Sequence, residues 1–326
     1  MKHNYYIEGM SYRLRPVKIE DAKFIIDLRT SDEDRLRYVH RFTATLEQEK
    51  EWIDNYFERE GDYLFVIENR FSGENEGIIS IYHQKGNKAE WGRWSTYKNS
   101  LASMESVYLL YRIGFEQIGL EELYCLTNAD NIPVVSFHNS ICEQYRGRLK
   151  DYYDIEGKLV DAEDHFCNLS HFYNVVAPKL MSTIKRIFKR QIRQYFGEFT
   201  FDHIGIATKN LLKEEAIYMI QGYEREGQMF EDENQGIRGL FMIQEGHPKI
   251  ELLENLADSK TISSYLENNV KMYHRAYYVG DIEKAIECFK RNKARVVSPL
   301  KQSVYFSKRI CFIMLPNMEL IELLER

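Results

Sequence analysis

Two histidines and two glutamates in the second half of the sequence recur at one common spacing. His203 opens the apolar run HIGIA, and His274 opens HRAYYV 71 residues later. Glu251 in KIELLEN and Glu322 in ELIELLER are separated by the same 71 residues. Imidazoles and carboxylates are good ligands for first-row divalent ions. The spacing indicates a duplicated unit whose halves together form a site for Zn, Co, Mn, Ni or Fe.

The chain around each histidine repeats one pattern of elements. FDHIGIATKNLLKEEAI, from Phe201, and YHRAYYVGDIEKAIECF, from Tyr273, both predict an apolar strand, a turn and a charged amphipathic helix. Each glutamate lies inside another apolar run, where an unpaired charge is costly to bury. We therefore expect strands from two related halves to bring the four side chains around one ion, with open positions for water or substrate.

At these residues the sequence resembles the vicinal oxygen chelate superfamily, which includes glyoxalase I, and within it the methylmalonyl-CoA epimerases. The likeness covers Phe199–Arg326 and is carried by DHIGIA, NQGIRGLFM, HRAYYVGDIEKA and LIELLE. It implies paired βαβββ units that form a cupped sheet around a metal ion. The ligands implied by the resemblance are His203, Glu251, His274 and Glu322.

The same resemblance implies acyl-thioester chemistry for this part of the chain. In the resembled enzymes a divalent metal holds the thioester oxygen and stabilises an enolate, while carboxylates move the α-proton. Glu322 would then serve as a base as well as a ligand, and Glu233 would be the base on the opposite face. Glu233 also fits a solvated position in the loop EDEN. A domain that only binds a ligand or forms a dimer stays open as an alternative.

The first half of the sequence alternates between strand-like and helix-like segments. MSYRLRPVKIEDAKFIIDLR predicts a strand followed by a helix, with IEDA near the helix start. DYLFVIEN, GIISIYH, AEWGRWST and ELYCLTN have the composition of strands, and EQEKEWIDNYFERE and NIPVVSFHNSI have that of helices. Another helix is predicted in LASMESVYLLYRIGFEQIGL, ending at Gly119. The predicted order is β-α-α-β-β-β-α-β-α-β, so we expect an α+β or α/β layer fold.

This order and content resemble the GNAT acyltransferase superfamily over about Met10–Phe172, in particular the branch that acylates nucleotide-linked amino sugars. The likeness is carried by LRPVKIEDAKFIIDLR, WGRWSTYKNSLASMES and NIPVVSFHN. It implies acetyl-CoA or another acyl-CoA as donor, held by a splayed strand and by backbone N–H groups at the start of a helix. The cofactor-binding residues that it implies are Trp94, Thr96, Lys98, Asn99, Ser100, Leu101, Ala102, Ser103 and Asn131.

The resemblance also suggests which residues move protons. His138 takes the place of the tyrosine that usually protonates the leaving thiolate, and an imidazole could do the same work. It equally fits a packed helix residue with no chemical role. Glu90 on the splayed strand, or Glu105, would accept the amine proton, although Glu105 better fits a carboxylate at a helix N-terminus. Direct transfer needs no covalent nucleophile, and the sequence has no G-x-S-x-G motif.

An acceptor groove is the remaining expectation for the first half. Trp91, Trp94 and Tyr97 are either groove-lining or core residues. A nucleotide-linked sugar also needs cations for its diphosphate, which Arg93, Arg112 and Arg146 could supply. A protein N-terminus or an antibiotic is the alternative acceptor.

Composition limits the remaining possibilities. The 326 residues carry a net charge of -6 and a mean hydropathy of -0.49. These values suit two domains, and they disfavour nucleic-acid binding and a membrane span. Five widely spaced cysteines indicate reduced thiols in a cytoplasmic protein. A basic amphipathic segment suggests the division: an acyltransferase domain at 1–172, a linker helix at 173–197 and a chelate-type domain at 198–326.

Together these patterns predict a bifunctional enzyme. The first domain would transfer an acyl group from CoA to the amine of a nucleotide-linked sugar used in surface glycans. The second, an epimerase or glyoxalase relative, would act on the acyl-CoA with a divalent metal. The expected partners are small molecules, with no nucleic acid, and a homodimer is left open.

Overall fold

The structure, a computed structural model, describes residues 3–31, 44–155 and 157–326. The chain divides into two compact units, Met1–Lys189 and Arg190–Arg326. Each unit is built on one eight-stranded sheet, and helices accompany the strands in both. The expected mixed α/β architecture with two modules is therefore confirmed.

The first unit alternates strands and helices much as the sequence patterns predict. Its sheet has the order β1-β2-β3-β4-β5-β6-β8-β7. The expected final strand is a long hairpin of two strands. The strands are β1 Ile7–Glu8, β2 Tyr12–Pro16, β3 Tyr63–Asn69, β4 Asn75–Lys85, β5 Lys88–Thr96, β6 Glu122–Asn128, β7 Gln144–Ile155 and β8 Lys158–Asn168. The helices are α1 Ala22–Thr30, α2 Leu46–Tyr56, α3 Ser103–Arg112, extended by the π-helical turn Ile113–Ile118, and α4 Ile132–Ser140.

Strands β5 and β6 are parallel neighbours that separate after three residues. Lys88–Glu90 pair with Glu122–Tyr124, and no pairing between the two strands follows. Beyond that point β5 pairs only with β4, through a register shift next to Arg93, whose φ is 45°. β6 continues against β8 as far as Asn128. The sheet therefore opens between β5 and β6, as the resemblance implied for AEWGRWST.

Two apolar cores fix this open sheet from its two faces. One core packs α3 against β5 and β6, and it includes Trp91, Leu109 and Leu123. The other packs α1 and α2 against β3 and β4, and it includes Ile25 and Ile53. Because neighbouring residues of a strand face opposite sides, Glu90 points away from the core that buries Ala89 and Trp91.

The helix α5, Ala177–Phe196, contains the division between the two units. It begins later than the sequence suggests, after the short helical turn Leu169–His171 and the π-helical turn Phe172–Val176. Leu180 and Ile184 are buried in the core of the first unit. The opposite face carries six exposed cations: Lys179, Lys185, Arg186, Lys189, Arg190 and Arg193.

The second unit consists of two halves with the same order of elements. Its sheet runs β10-β11-β12-β9-β13-β16-β15-β14, so β9 and β13 meet at its centre and pair antiparallel. This mirrored order is the arrangement expected of paired βαβββ units. The first half contains β9 Phe199–Ala207, α6 Leu211–Ile220, β10 Glu224–Asp232, β11 Ile237–Ile243 and β12 Lys249–Asn255. After α7 Ser263–Glu267, the second half contains β13 Met272–Val279, α8 Ile282–Arg291, β14 Arg295–Gln302, β15 Arg309–Met314 and β16 Leu320–Glu325.

In the parts of the chain that the structure describes, the helices lack the combination of length and apolar character that crossing a bilayer requires.

A buried carboxyl group near the start of α3 generates a prediction about stability. Glu105 accepts hydrogen bonds from the backbone N–H groups of Met10 and Ser11. Burial raises its pKa to about 7, although these backbone bonds act in the opposite direction. A carboxyl whose pKa rises on folding favours the folded state while protonated. The stability that it contributes is therefore present below pH 4.5 and lost as the pH rises through about 7.

We expect Glu105→Gln to remove up to about 3 kcal/mol of this pH dependence. The free energy of unfolding is measured by denaturant titration of the full chain at pH 5 and pH 8. Tryptophan fluorescence reports on the first unit, because all three tryptophans lie there. The exposed Glu58→Gln is the matched control. If the free energy of unfolding of Glu105→Gln changes between pH 5 and pH 8 as much as that of the wild type, the assignment is wrong.

Candidate metal centre and acyltransferase site

Four buried side chains meet at the centre of the second unit. Nε2 of His203 lies 3.0 Å from Nε2 of His274. Oε2 of Glu251 lies 3.3 and 3.4 Å from these two nitrogen atoms, and Oε2 of Glu322 lies 3.5 and 3.3 Å from them. All four residues are at most 6% exposed. The structure thus brings together the four residues that the repeat singled out.

The spacing of these atoms suits a common ion. Ligands held about 2.1 Å from one metal at tetrahedral or right angles lie about 3.0 to 3.4 Å apart. Oε2 of Glu322 is buried and accepts no hydrogen bond within the described residues. A buried carboxylate oxygen and two facing imidazole nitrogens, without further donors, form a set that a divalent cation would complete. The residues present therefore fit a metal ion.

Backbone pairing and small or aromatic neighbours orient the histidines. Gly205 lies opposite His274 in the β9–β13 pair, and a Cβ atom there would come within 2.3 Å of the His274 ring. Phe241 meets the ring of His203 edge-on at 5.2 Å and 85°. Phe312 meets His274 in the same way, at 5.3 Å and 83°. The duplicated halves thus hold their histidines with equivalent aromatic contacts.

Charge and burial act differently on the two imidazoles when no metal is bound. Burial acts to lower the pKa of His203, but the carboxylates of Glu251, Asp202 and Glu322 raise it to about 10. Burial lowers the pKa of His274 to about 3. The negative charge of Glu251 opposes this shift, and the positive charge of His203 adds to it. His203 is therefore the protonated member of the pair.

Three of the four side chains line a small cavity. It has a volume of about 10 Å³, room for about one water molecule, and Glu251, His274 and Glu322 share its lining with residues such as Phe230, Phe306 and Tyr273. Glu233 does not join this set: it is exposed in the turn between β10 and β11. Its neighbour Asp232 is fully buried, and the cavity is lined by Gln235. The solvated-loop interpretation of Glu233 therefore fits the structure better than that of an opposite-face base.

In the first unit, Glu90 lies at the last paired position before β5 and β6 separate. It is 6% exposed. Its carboxylate accepts a hydrogen bond from the Tyr82 hydroxyl at 2.9 Å and lies 3.0 Å from Nδ1 of His83. The imidazole of His83 is 65% exposed. A buried carboxylate at the opening of the sheet, linked to an exposed imidazole, is arranged to take up a proton and pass it outward.

His138 is fully buried on α4 and engages both ring nitrogens. Nδ1 lies 2.6 Å from Oε2 of Glu143, and Nε2 lies 3.2 Å from Oγ1 of Thr127 on β6. Burial acts to lower the pKa of His138, but the charge of Glu143 raises it to about 10. The imidazole therefore carries a proton at neutral pH. Thr127 lies on the stretch of β6 that has parted from β5.

The loop between β5 and α3 contains most of the residues expected to bind CoA. Lys98 and Asn99 are exposed, whereas Thr96 and Ala102 are buried. The remaining members are partly buried: Trp94, Ser100, Leu101, Ser103 and, at the start of α4, Asn131.

The local bonding of this loop holds it against β4. The Ser100 hydroxyl donates to Glu76, and it accepts a hydrogen bond from the backbone N–H of Ala102. Ala102 is the N-cap of α3 and offers no side-chain acceptor to the first turn. Trp94 donates to the Ser106 hydroxyl and packs on Phe137.

The arginines and aromatic residues proposed for an acceptor groove have other partners. Arg93 pairs with Asp62, Arg112 with Glu116, and Arg146 with Glu122 and Asp164. Trp91 is buried in the core and donates to the Tyr111 hydroxyl. Tyr97 packs against Phe24 on α1. These contacts favour the core interpretation of Trp91, and each arginine would have to exchange a carboxylate for a diphosphate.

Three site residues escaped the sequence analysis. Asp202 lies 2.7 Å from Nδ1 of His203, and its position next to the histidine in DHIGIA was the available signal. Glu143 follows His138 by five residues, a spacing typical of no familiar motif. Thr127 lies in another element, so only the folded chain brings it to His138.

Two family descriptions match the chain. Residues 12–141 match the acetyltransferase (GNAT) domain, and residues 202–312 match the glyoxalase/bleomycin resistance protein/dioxygenase superfamily. The chain therefore contains a GNAT acetyltransferase domain followed by a domain of the glyoxalase superfamily, as the motifs predicted. GNAT domains use acyl-CoA and an amine as substrates. No curated protein matched the chain.

Solved structures similar to this chain include several acetyltransferases. FdhC, described as a nucleotide-linked sugar GNAT, is 25% identical and covers 57% of this chain and 97% of its own, with a TM-score of 0.45. A spermidine N-acetyltransferase SpeG mutant from Vibrio cholerae is 15% identical and covers 51% and 98%, with a TM-score of 0.45. A GCN5-related N-acetyltransferase from Brucella melitensis is 16% identical and covers 58% and 85%, with a TM-score of 0.48.

The close approach of Gly205 to His274 generates a second prediction. We expect Gly205→Ala to displace the imidazole, weaken binding of Co²⁺ at least tenfold and destabilise the second unit by about 1 to 3 kcal/mol. Isothermal titration calorimetry and circular dichroism of the full chain measure the two effects. Ala276, the equivalent residue of the second half, gives the control Ala276→Gly. If Gly205→Ala binds Co²⁺ with wild-type affinity, the His274 ring tolerates the added methyl group and the prediction is wrong.

Proposed function

We propose that the first domain transfers an acyl group from acyl-CoA to the amine of a nucleotide-linked sugar. The observation that carries the reaction type is the opening between β5 and β6 beside Glu90, together with the helix start that follows. The sugar acceptor is supported by the sequence likeness to that branch of the family. We propose the boundaries 1–172, 173–197 and 198–326 for the two domains and the helix between them.

The residues at the opening suggest how the transfer proceeds. The neutral amine attacks the thioester carbonyl, and backbone N–H groups of β5 stabilise the oxyanion. Oε2 of Glu90 takes the proton that the amine loses when the new amide bond forms. As the carbon–sulfur bond breaks, the thiolate takes the proton of the Thr127 hydroxyl. Nε2 of His138 replaces that proton, and Glu143 holds the imidazolium in place beforehand.

We expect Glu90→Gln to lower acyl transfer by about 10² to 10⁴-fold, because the amide cannot accept the amine proton. The assay follows CoA release from acetyl-CoA in the presence of nucleotide-linked amino sugars, with mass spectrometry of the product. The affinity for CoA should remain within twofold, and the exposed Glu58→Gln is the matched control. Transfer at the wild-type rate in Glu90→Gln would remove Glu90 as the proton acceptor. If only polyamines or peptides are acylated, the sugar acceptor is wrong.

We propose that the second domain is a metal-dependent epimerase of acyl thioesters. His203, Glu251, His274 and Glu322 would hold the divalent ion. Such an ion supplies Lewis-acid stabilisation of a developing enolate oxygen. The observation that supports this function is the group of four buried potential ligands, three of which line one small cavity.

The chain's own residues would contribute the remaining chemistry. Glu322 would offer one carboxylate oxygen as a ligand and use the other to remove the α-proton. Glu251, which reaches the centre from the other half, would deliver a proton to the opposite face of the α-carbon, as inversion requires. Phe230 and Phe306 would exclude bulk water from the reacting carbon. The acyl-CoA made or corrected here would be the donor for the first domain, which explains why the two modules share one chain.

We expect His203→Ala to abolish both metal binding and α-proton exchange. Deuterium uptake at the α-carbon of methylmalonyl-CoA and of 2-methylbutyryl-CoA is followed in D₂O with Co²⁺ present, and bound metal is quantified separately. The exposed Glu245→Gln is the control. A wild-type chain that binds Co²⁺ but exchanges neither substrate would indicate a binding domain. Retained exchange in His203→Ala would contradict the assigned centre.

A further inference from the structure

The two halves of the metal cluster differ in the residue that precedes each histidine. Asp202 precedes His203, and Tyr273 precedes His274 at the equivalent place in the second half. Oδ2 of Asp202 lies 2.7 Å from Nδ1 of His203. Nδ1 of His274 is buried and has no hydrogen-bond partner in the described parts of the chain. The halves share one aromatic contact, because Phe241 meets His203 and Phe312 meets His274 edge-on at nearly the same distance and angle.

This difference bears on the tautomer of each imidazole. A neutral imidazole carries its proton on one nitrogen and a lone pair on the other. A carboxylate that accepts from Nδ1 holds the proton there, so Nε2 of His203 presents its lone pair to the other ligands. Nothing equivalent selects the tautomer of His274. Part of the free energy of metal binding at His274 would therefore be spent on fixing the tautomer and orientation of its ring.

The carboxylate of Asp202 is hydrogen-bonded to His203, and the charge of Lys249 acts on it as well. The side chain of Asp202 is 17% exposed. Lys249, which lies opposite His203 in the β12–β9 pair, forms its own ion pair with Glu226. The Asp202 carboxylate therefore has His203 as its hydrogen-bonded partner, and the contact is largely protected from water.

We infer that Asp202 is a positioning residue for the metal centre, and that it makes His203 the anchoring ligand and His274 the weaker one. The inference rests on the proposed metal-binding function and adds an unequal division of labour within a duplicated site. The contact raises the basicity of Nε2 and fixes the plane of the ring, two effects that together typically change metal affinity by about 10- to 100-fold.

The test measures Co²⁺ affinity rather than turnover. Full-length protein is freed of metal with a chelator, dialysed and titrated with Co²⁺ in competition with an indicator chelator, and the visible absorption of the bound ion is recorded. We expect Asp202→Ala to raise the Kd for Co²⁺ by about 10- to 100-fold. The absorption band should keep its position, because all four ligands remain. Asp202→Asn should lose less affinity for Co²⁺, because its amide oxygen can still accept a hydrogen bond from Nδ1 of His203.

The duplication supplies the matched control. Tyr273→Phe changes the equivalent residue of the other half and should leave the Kd within twofold of wild type. Circular dichroism verifies the fold, and if Asp202→Ala does not fold, the comparison of Asp202→Asn with Tyr273→Phe decides. Equal affinity in the Asp202 variant and wild type would overturn the inference while leaving the metal centre intact. A wild-type chain that binds no Co²⁺ would instead remove the proposed metal function itself.

Discussion

The antiparallel pairing of β9 with β13 is the contact on which the second domain depends. It places Gly205 opposite His274 and so lets one imidazole lie across the backbone of the neighbouring strand. The parallel partners β12 and β16 then bring the two carboxylates to the same place from either side. Without this one register, the four side chains would lie on separate halves with no common centre.

The proposed site of the first domain depends on the point at which β5 and β6 cease to pair. β5 and β6 share only three paired positions, and the groups proposed for the chemistry lie at the last of these positions or beyond it. Glu90 marks the start of the opening from one strand, and Thr127 lies along it on the other. One domain therefore builds its site by joining strands, whereas the other builds its site by parting them.

Sequence patterns predicted which four side chains meet in the second domain, because duplication leaves a regular signal. His203 and His274 are separated by the same number of residues as Glu251 and Glu322. This spacing can be recognised in the sequence without knowing how the strands pair. The partners of His138 were beyond such reasoning. Glu143 and Thr127 reach it from a turn and from another strand, so their contact depends on packing that no local periodicity encodes.

Other assignments fit the structure less well, for a simpler physical reason. A turn residue in EDEN can face either way, and the structure exposes Glu233 while burying Asp232 beside it. Likewise, Arg93, Arg112 and Arg146 have the right charge for a diphosphate, but carboxylates on nearby elements already neutralise them. The sequence shows the charge of each arginine. It does not show the carboxylates that the fold places beside it.

The order of ligands along the chain has a consequence for biosynthesis. His203 lies in β9 and Glu322 in β16, so a growing polypeptide exposes the first ligand long before it makes the fourth. A ribosome-bound fragment that ends before β16 can hold an ion only through an incomplete set of ligands. With the proposed ligand set, capture of an ion by all four residues would mark the completion of this sheet during translation.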